Sequence, residues 1–127
     1  MAIYDNLPVY KTAYDLLMEL MLMCKHLPRD TRYTIGERLQ QRLMDLMVQI
    51  YHANSTEGAT KVNHLGLARE YIVEVKLYIR ILHDQKQIGD KRIAVLTEKT
   101  ESISKQLAAW AKSVVNRQNC TGSSAVS

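Results

Sequence analysis

Three basic residues on one predicted helix are the side chains of this sequence best placed to do chemistry. Arg69, Lys76 and Arg80 fall within roughly 40° of one another when successive residues are placed at about 100° on a helix. Lysine and arginine neutralise phosphate groups whatever the base sequence, so this line predicts salt-sensitive polyanion binding with little base readout. Arg92 and Lys99 lie along one edge of the next helix and extend the basic surface.

The charge distribution agrees with this hypothesis but also leaves a structural alternative. The net charge is +4, and residues 61–127 hold 11 Lys/Arg against 6 Asp/Glu. Pairs within a helix, such as Glu101 with Lys105, and simple solubility explain many exposed cations. For Lys105 and Lys112, which point away from the basic line, we favour that structural interpretation.

Motifs for catalysis, metal binding or cofactor binding are missing from the sequence. The five glycines are scattered and the four histidines are solitary, so neither a phosphate-binding loop nor a metal-ligand spacing is present. Glu70 and Glu74 lie one helical turn apart, and we interpret them as a solvated pair of carboxylates that balances nearby cations. We therefore expect a protein that is not an enzyme and that holds no metal and no cofactor.

Size and composition predict one soluble domain. A chain of 127 residues with 46% hydrophobic residues can bury its own core. We see no signal peptide and no apolar run near the roughly 20 residues that a bilayer requires, so we expect a cytoplasmic protein without a membrane contact. Cys24 and Cys120 are expected to be free thiols.

Four helical segments must position the basic residues, because apolar residues recur in alternating steps of three and four. Short loops between such segments make neighbours antiparallel, so we predict an all-α, up-down-up-down four-helix bundle over residues 1–117. Residues 118–127, rich in Ser, Thr and Gly, are expected to form a disordered tail. The predicted stripes are Ala13, Leu17, Leu20, Cys24 and Leu27; Leu39, Leu43, Leu46, Ile50 and Ala53; Leu65, Ala68, Ile72, Val75, Ile79 and Leu82; and Ile93, Leu96, Thr100, Ile103, Leu107, Trp110 and Val114.

Capping signals predict where these helices begin. Asn6 is expected to cap the first helix, with Pro8 in its opening turn. The segment 34–37 spells a capping box, Thr34 to Glu37, for a second helix that ends near Ala53. The third helix is expected over about 60–86, and Asp90 is expected to cap the fourth.

Apolar residues off the main stripes favour a homo-oligomer, since a monomeric bundle usually needs one apolar face per helix. A few large side chains buried at roughly 1.5–3 kcal/mol each would drive association. The alternative is a wide core with some exposed apolar residues. Val73, Leu77 and Ile81, which lie beside the basic line, are the predicted oligomer interface; the other off-stripe residues are Leu16, Met23, Met44, Met47 and Tyr51.

Four short segments carry a resemblance to known proteins over roughly residues 7–115. Leu7-Pro8-Val9-Tyr10-Lys11 and the segment 27–36 (LPRDTRYTIG) are similar to the start of a bacterial four-helix-bundle family that includes ribosomal-RNA intervening-sequence proteins. Within that family, the segments 76–82 (KLYIRIL) and 103–110 (ISKQLAAW) resemble the last two helices of the accessory variability determinants of diversity-generating retroelements.

The resemblance implies a barrel-like homopentamer that binds DNA and RNA and associates with a reverse transcriptase during mutagenic copying of a repeat. By position, Lys76 and Arg80 match the paired basic residues of that accessory family, and Trp110 matches its tryptophan. Ala108 and Ala109 depart from the family pattern, which usually has a glycine before the tryptophan. A methyl group there changes how closely helices approach.

Two hypotheses follow from the sequence. The first is a non-enzymatic accessory subunit that oligomerises and holds a reverse transcriptase on its RNA or DNA through the five basic residues. The second is an intervening-sequence-type oligomer that acts only as a protein-interaction module. An enzyme is a distant third interpretation.

Overall fold

The computed structural model describes residues 6–126, with side chains described over residues 6–117. Four long helices form the chain, and residues 6–126 contain no strand, which confirms an all-helical fold. The helices are α1 (Pro8–Cys24), α2 (Glu37–Ser55), α3 (Gly58–Asp84) and α4 (Asp90–Val126). A helical turn, Arg29–Thr31, and a π-helical turn, Arg32–Gly36, lead into α2.

Helix α4 extends to Val126, beyond the predicted domain boundary at residue 117. The side chains of 118–127 lie outside the described residues, so the disordered tail stays a prediction.

The four helices pack around one apolar core. In α2 and α3 the predicted stripes are buried in full, from Leu39 to Ala53 and from Leu65 to Leu82. Thr100 is the buried polar residue of the α4 stripe, and its hydroxyl donates to the Thr97 carbonyl oxygen at 3.0 Å. Hydroxyl donation within the helix satisfies a polar group that would otherwise be costly to bury.

Each helix has two principal neighbours. Helix α1 packs against α2 and α4, and α3 packs against the same two helices. Helices α1 and α3 therefore lie diagonally across the bundle. Each of them turns a broad outer surface away from the core, and the side chains on that surface are available to other molecules.

The predicted helix caps are wrong. Leu7, and not Asn6, occupies the N-cap of α1, where no side chain caps the helix, although Pro8 opens it as expected. Thr34 lies inside the π-helical turn, and its hydroxyl donates to the Asp30 carbonyl oxygen at 2.7 Å. The capping box fails because helical backbone already begins at Arg29, so no free amide is left at that position to cap.

The start of α4 also differs from the prediction. Asp90 is the first helical residue, and Gly89 precedes it and accepts the first amide bond from Ile93 at 3.1 Å. The Asp90 carboxylate instead lies 2.8 Å from Nε2 of His83, in the last turn of α3. Asp90 therefore bridges the turn between two helices, and α3 ends at Asp84, two residues earlier than predicted.

Two glycines of α3 should respond to alanine in opposite directions. Gly66 is exposed in mid-helix and a Cβ there would meet nothing within 4 Å. Gly66→Ala should therefore raise the free energy of unfolding by about 0.5–1 kcal/mol, because alanine loses less backbone entropy. Gly58 has a φ of 63°, where an L side chain is strained, so Gly58→Ala should lower the free energy of unfolding by about 1–2 kcal/mol. Denaturant unfolding at one protein concentration measures both, and a loss at Gly66 would contradict an open surface there.

Candidate functional site

The outer surface of α3 carries a row of residues that we call the α3 ridge: Arg69, Val73, Leu77 and Arg80. Val73 is 63% exposed and Leu77 is 52% exposed, and both arginines are exposed as well. The spacing of four, four and three residues places them along one side of the helix. The ridge is thus apolar in the middle and basic at both ends.

The predicted oligomer interface is only partly on this ridge. Val73 and Leu77 are exposed as an interface requires, and Ile81 is half-buried. Of the other off-stripe residues, Leu16, Met23 and Met47 are buried in the core of the same chain, and Met44 and Tyr51 remain exposed. The wide-core interpretation is therefore correct for three residues, and the exposed ones remain available for association.

Lys76 already has a carboxylate partner in the next helix. Its Nζ lies 2.9 Å from Oε1 of Glu101, which joins α3 to α4. The hydrogen bond from Lys76 and its positive charge lower the pKa of the Glu101 carboxyl. A lowered pKa means that this ion pair is fully present above the ordinary glutamate pKa and is lost as the pH falls through the lowered value. At neutral pH a phosphate must therefore compete with Glu101 for Lys76.

The remaining predicted cations are less constrained. Nε of Arg80 lies 3.8 Å from the Asp84 carboxylate, and both side chains are mostly exposed, so this contact contributes little. Within residues 6–117, Arg69, Arg92 and Lys99 have no ion pair. Arg69 and Arg92 are exposed and Lys99 is half-buried, and a polyanion that binds them breaks no existing ion pair.

The structure brings together only two of the five predicted cations. Lys76 and Arg80 line a groove of about 450 Å³ between α3 and α4, which Thr97 and Glu101 also line, and we call it the α3–α4 groove. Arg92 lines a separate depression of about 200 Å³ next to Met23 and Ile88.

The sequence analysis did not predict an ion-pair network that joins α2 to α3. Nε of Arg42 donates to Oε2 of Glu74 at 2.8 Å, Tyr78 donates to the same oxygen at 3.2 Å, and the guanidinium lies 5.0 Å from the ring centre of Tyr71. Desolvation lowers the pKa of Arg42, but the Glu74 carboxylate outweighs it, so the pKa is raised. Glu74 is thus not simply solvated: it fixes α2 against α3.

The histidines and the buried cysteine are the other side chains that a metal ion could use as ligands. Among the described residues, no group of three or more His, Cys, Asp or Glu is placed to hold a metal ion. His52 and His64 stack with ring centres 5.0 Å apart, and Nδ1 of His64 lies 2.6 Å from Oε1 of Gln49. Cys24 is buried, and burial raises the pKa of its thiol.

The length and hydropathy of each helix determine whether it could cross a membrane. Within the described part of the chain, no helix is both long and apolar enough to cross a bilayer.

These features define an all-helical four-helix bundle with a half-basic, half-apolar outer ridge. Among solved structures, the chain is similar to a protein of unknown function from the S23 ribosomal protein family of Bacteroides thetaiotaomicron. The two share 16% sequence identity and a TM-score of 0.76, over 87% of this chain and 99% of that chain. At this identity the likeness shows the fold alone. No protein-family model and no curated protein matches the chain.

Removing the Arg42 side chain should loosen the contact between α2 and α3. Arg42→Ala should lower the free energy of unfolding by about 1 kcal/mol, since it leaves Glu74 without its main partner at a partly exposed site. Arg38→Ala is the matched control: Arg38 is exposed on the same helix, and its loss should change stability by less than about 0.5 kcal/mol. Equal effects of the two variants in denaturant unfolding would show that the network adds nothing.

Proposed function

We propose that this chain is a non-enzymatic accessory subunit that self-associates through the α3 ridge and binds nucleic acid through its exposed cations. The observation that carries the proposal is the ridge itself, where Val73 and Leu77, 63% and 52% exposed, lie between Arg69 and Arg80. Water is a poor environment for the two apolar side chains. A partner that covers them must also accommodate the positive charge at either end.

The self-association part of the proposal rests on apolar area. Covering Val73 and Leu77 removes two largely exposed side chains from water, at roughly 25 cal/mol per Å² of apolar surface. Two residues alone bury less than the roughly 800 Å² per partner of a standard interface. The ridge must therefore act together with further apolar surface on the partner copy.

The assembly that we propose is a homopentameric ring of up-down-up-down bundles, as the resemblance implies. Two contacts support the antiparallel arrangement of α1 and α2. Tyr10, near the start of α1, shares a groove with Val48 and Tyr51 late in α2. At the other end of α1, Sγ of Cys24 lies 3.8 Å from the carbonyl oxygen of Gly36, just before α2.

The proposed ligand of the exposed cations is RNA or DNA, bound without base specificity. Arg69, Arg80, Arg92 and Lys99 offer charges that are free or weakly paired, and Lys76 becomes available when phosphate displaces Glu101. Contacts of this kind position a nucleic acid and make its affinity depend steeply on salt. With the resemblance, they support a role beside the reverse transcriptase of a diversity-generating retroelement, where this subunit would hold the enzyme on its template during mutagenic retrohoming.

A second candidate function is a protein-interaction module without nucleic acid, of the intervening-sequence type. The observation that favours it is the pairing of Lys76 with Glu101 and of Arg80 with Asp84, which uses carboxylates of the same chain to neutralise the two cations in the α3–α4 groove. A protein that still forms a defined oligomer but ignores RNA and DNA would establish this candidate and remove the first.

Replacing the apolar centre of the ridge should weaken self-association. The double change Val73→Ser and Leu77→Ser removes the exposed apolar groups and leaves both arginines in place. We expect the dissociation constant of the oligomer to rise at least tenfold, because about 1.4 kcal/mol of lost burial already gives that factor. Light-scattering mass across a dilution series measures the change.

Val95→Ser is the matched control for the ridge variant. Val95 is 43% exposed on α4, away from the ridge, so its replacement should leave the oligomer unchanged. A ridge variant that associates as the wild type does, or a wild-type chain that is monomeric at every concentration, would overturn self-association through the ridge.

Reversing the charges in the α3–α4 groove should weaken nucleic-acid binding at every sequence tested. The double change Lys76→Glu and Arg80→Glu removes two phosphate contacts and adds two repulsive charges. We therefore expect weaker gel-shift binding of RNA and DNA and a smaller loss of affinity between about 50 and 200 mM salt. Lys105→Glu with Lys112→Glu is the matched control, since both lysines are exposed outside the groove.

Glu101→Gln tests the same binding in the opposite direction. Loss of this carboxylate frees Lys76 without changing its position on α3, so the affinity for nucleic acid should rise. Affinity that is unchanged in both the Glu101 variant and the charge-reversal variant would remove nucleic acid from the proposed function.

A further inference from the structure

A second apolar surface lies on the other side of the molecule, across the neighbouring helices α1 and α2. Its members are large apolar side chains that the chain leaves between 38% and 50% exposed. We call it the α1–α2 face: Tyr14, Met18, Met21, Met44, Val48 and Tyr51.

The six residues fall into two rows and are not scattered. Residues 14, 18 and 21 recur in steps of four and three along α1, and residues 44, 48 and 51 recur in the same steps along α2. Tyr10 of α1 lines a groove of about 300 Å³ together with Met47, Val48 and Tyr51 of α2. The two rows therefore lie on neighbouring helices, with an apolar groove between these helices at the Tyr10 end of α1.

The apolar area of the α1–α2 face indicates a contact with another molecule. Six large side chains, each 38% to 50% exposed, amount to an apolar patch on the order of 400 Å², which is the size of the largest apolar patch of many monomers, and such a patch is often functional. Such patches mark contacts with another macromolecule. Cations do not dominate the face, so a nucleic acid has little to bind there.

The α3 ridge of a second copy offers this surface an apolar counterpart. Val73 and Leu77 are the exposed apolar side chains at the centre of the ridge, and the groove of about 300 Å³ opens beside Val48 and Tyr51 of the face. Packing one ridge on another ridge would bury only these two residues from each copy and would leave the α1–α2 face in water. Ridge against face covers both surfaces and therefore removes more apolar area from water than ridge against ridge does.

The charges at the edges agree with this pairing. Asp15 lies beside the α1 row and is exposed, and residues 6–117 give it no ion pair. Asp45, beside the α2 row, is already paired with Arg42 at 3.2 Å. Lys11 and Lys25 lie toward the two ends of the α1 row, so Asp15 between them is the carboxylate with which an arginine at the end of a ridge can pair.

We propose that the α1–α2 face is the docking site for the α3 ridge of a second copy, so that subunits associate head to tail. This inference rests on the self-association of the proposed function and names the surface that the ridge contacts. Because α1 and α3 lie diagonally across the bundle, each copy uses one surface to bind and presents the other to the next copy. Unlike surfaces joined in this way produce a ring or an open chain and not a symmetric dimer.

A mixing experiment with two variants of the full chain tests the proposal. The ridge variant carries Val73→Ser and Leu77→Ser, and the face variant carries Met44→Lys and Val48→Lys. Each alone should be monomeric by light scattering, because each lacks one of the two surfaces. An equimolar mixture should give a 1:1 heterodimer in native mass spectrometry, because one intact ridge and one intact face remain.

The outcomes separate this inference from the proposed self-association. A wild-type monomer would overturn both. A wild-type oligomer whose face variant still associates, or a mixture that stays monomeric when both variants are folded by circular dichroism, would overturn only the head-to-tail pairing. Should the lysine variant fail to fold, Met44→Ala with Val48→Ala replaces it, with an expected rise of about tenfold in the dissociation constant of the oligomer; an unchanged constant would refute the face.

Discussion

Burial of one apolar stripe on each helix is the interaction on which the rest of the molecule depends. A stripe that alternates steps of three and four residues covers one side of a helix, and packing it against two neighbours fixes the rotation of that helix. Once Ile72 and Val75 face the core, Val73 and Leu77 must face outward. The α3 ridge is therefore not an independent feature: it is the necessary counterpart of the buried stripe, filled here with apolar and basic residues instead of the usual polar ones.

Two of the outward-facing cations are paired with a carboxylate on the neighbouring helix. Arg42 meets Glu74 across α2 and α3, and Lys76 meets Glu101 across α3 and α4. Both pairs are partly exposed, so each contributes modestly to stability. Their larger effect is on binding, because a cation with a partner must exchange that partner for a phosphate, whereas Arg69 and Arg92 need not.

Periodicity in the sequence was sufficient to predict an all-helical fold of four long helices, and above all the core of α2 and α3, where every residue of the predicted stripes is buried. It missed three residues that are buried although they lie off the predicted stripes, Leu16 and Met23 on α1 and Met47 on α2. A helix that contacts two neighbours at a wide angle buries a broader surface than a narrow stripe of steps indicates. The capping box at Thr34 failed for a different reason, since a local motif cannot show that the helix has already begun at Arg29.

The ion pairs between helices could not be predicted from the sequence. Glu74 and Glu101 were each compared with cations on their own helix, because the intrahelical spacings of three and four are what a sequence shows directly. Pairs between helices depend on the register of one helix against the next, which is set by core packing and loop length. The five basic residues were thus correctly placed on two helices, but which of them share a groove required the three-dimensional structure.

Self-association and nucleic-acid binding, if both proposals hold, cannot be independent of each other. Arg69 and Arg80 lie at the two ends of the α3 ridge, and the centre of this ridge would dock on a second copy. Association would therefore place these cations at the boundary between subunits. Lys76 and Arg80 also line the α3–α4 groove, which opens beside that ridge. A polyanion that runs along the boundary would contact cations from each successive copy, and many weak phosphate contacts in a row give a strong, cooperative attachment. Association would then determine the affinity for nucleic acid, and the charge of a single bundle would matter little.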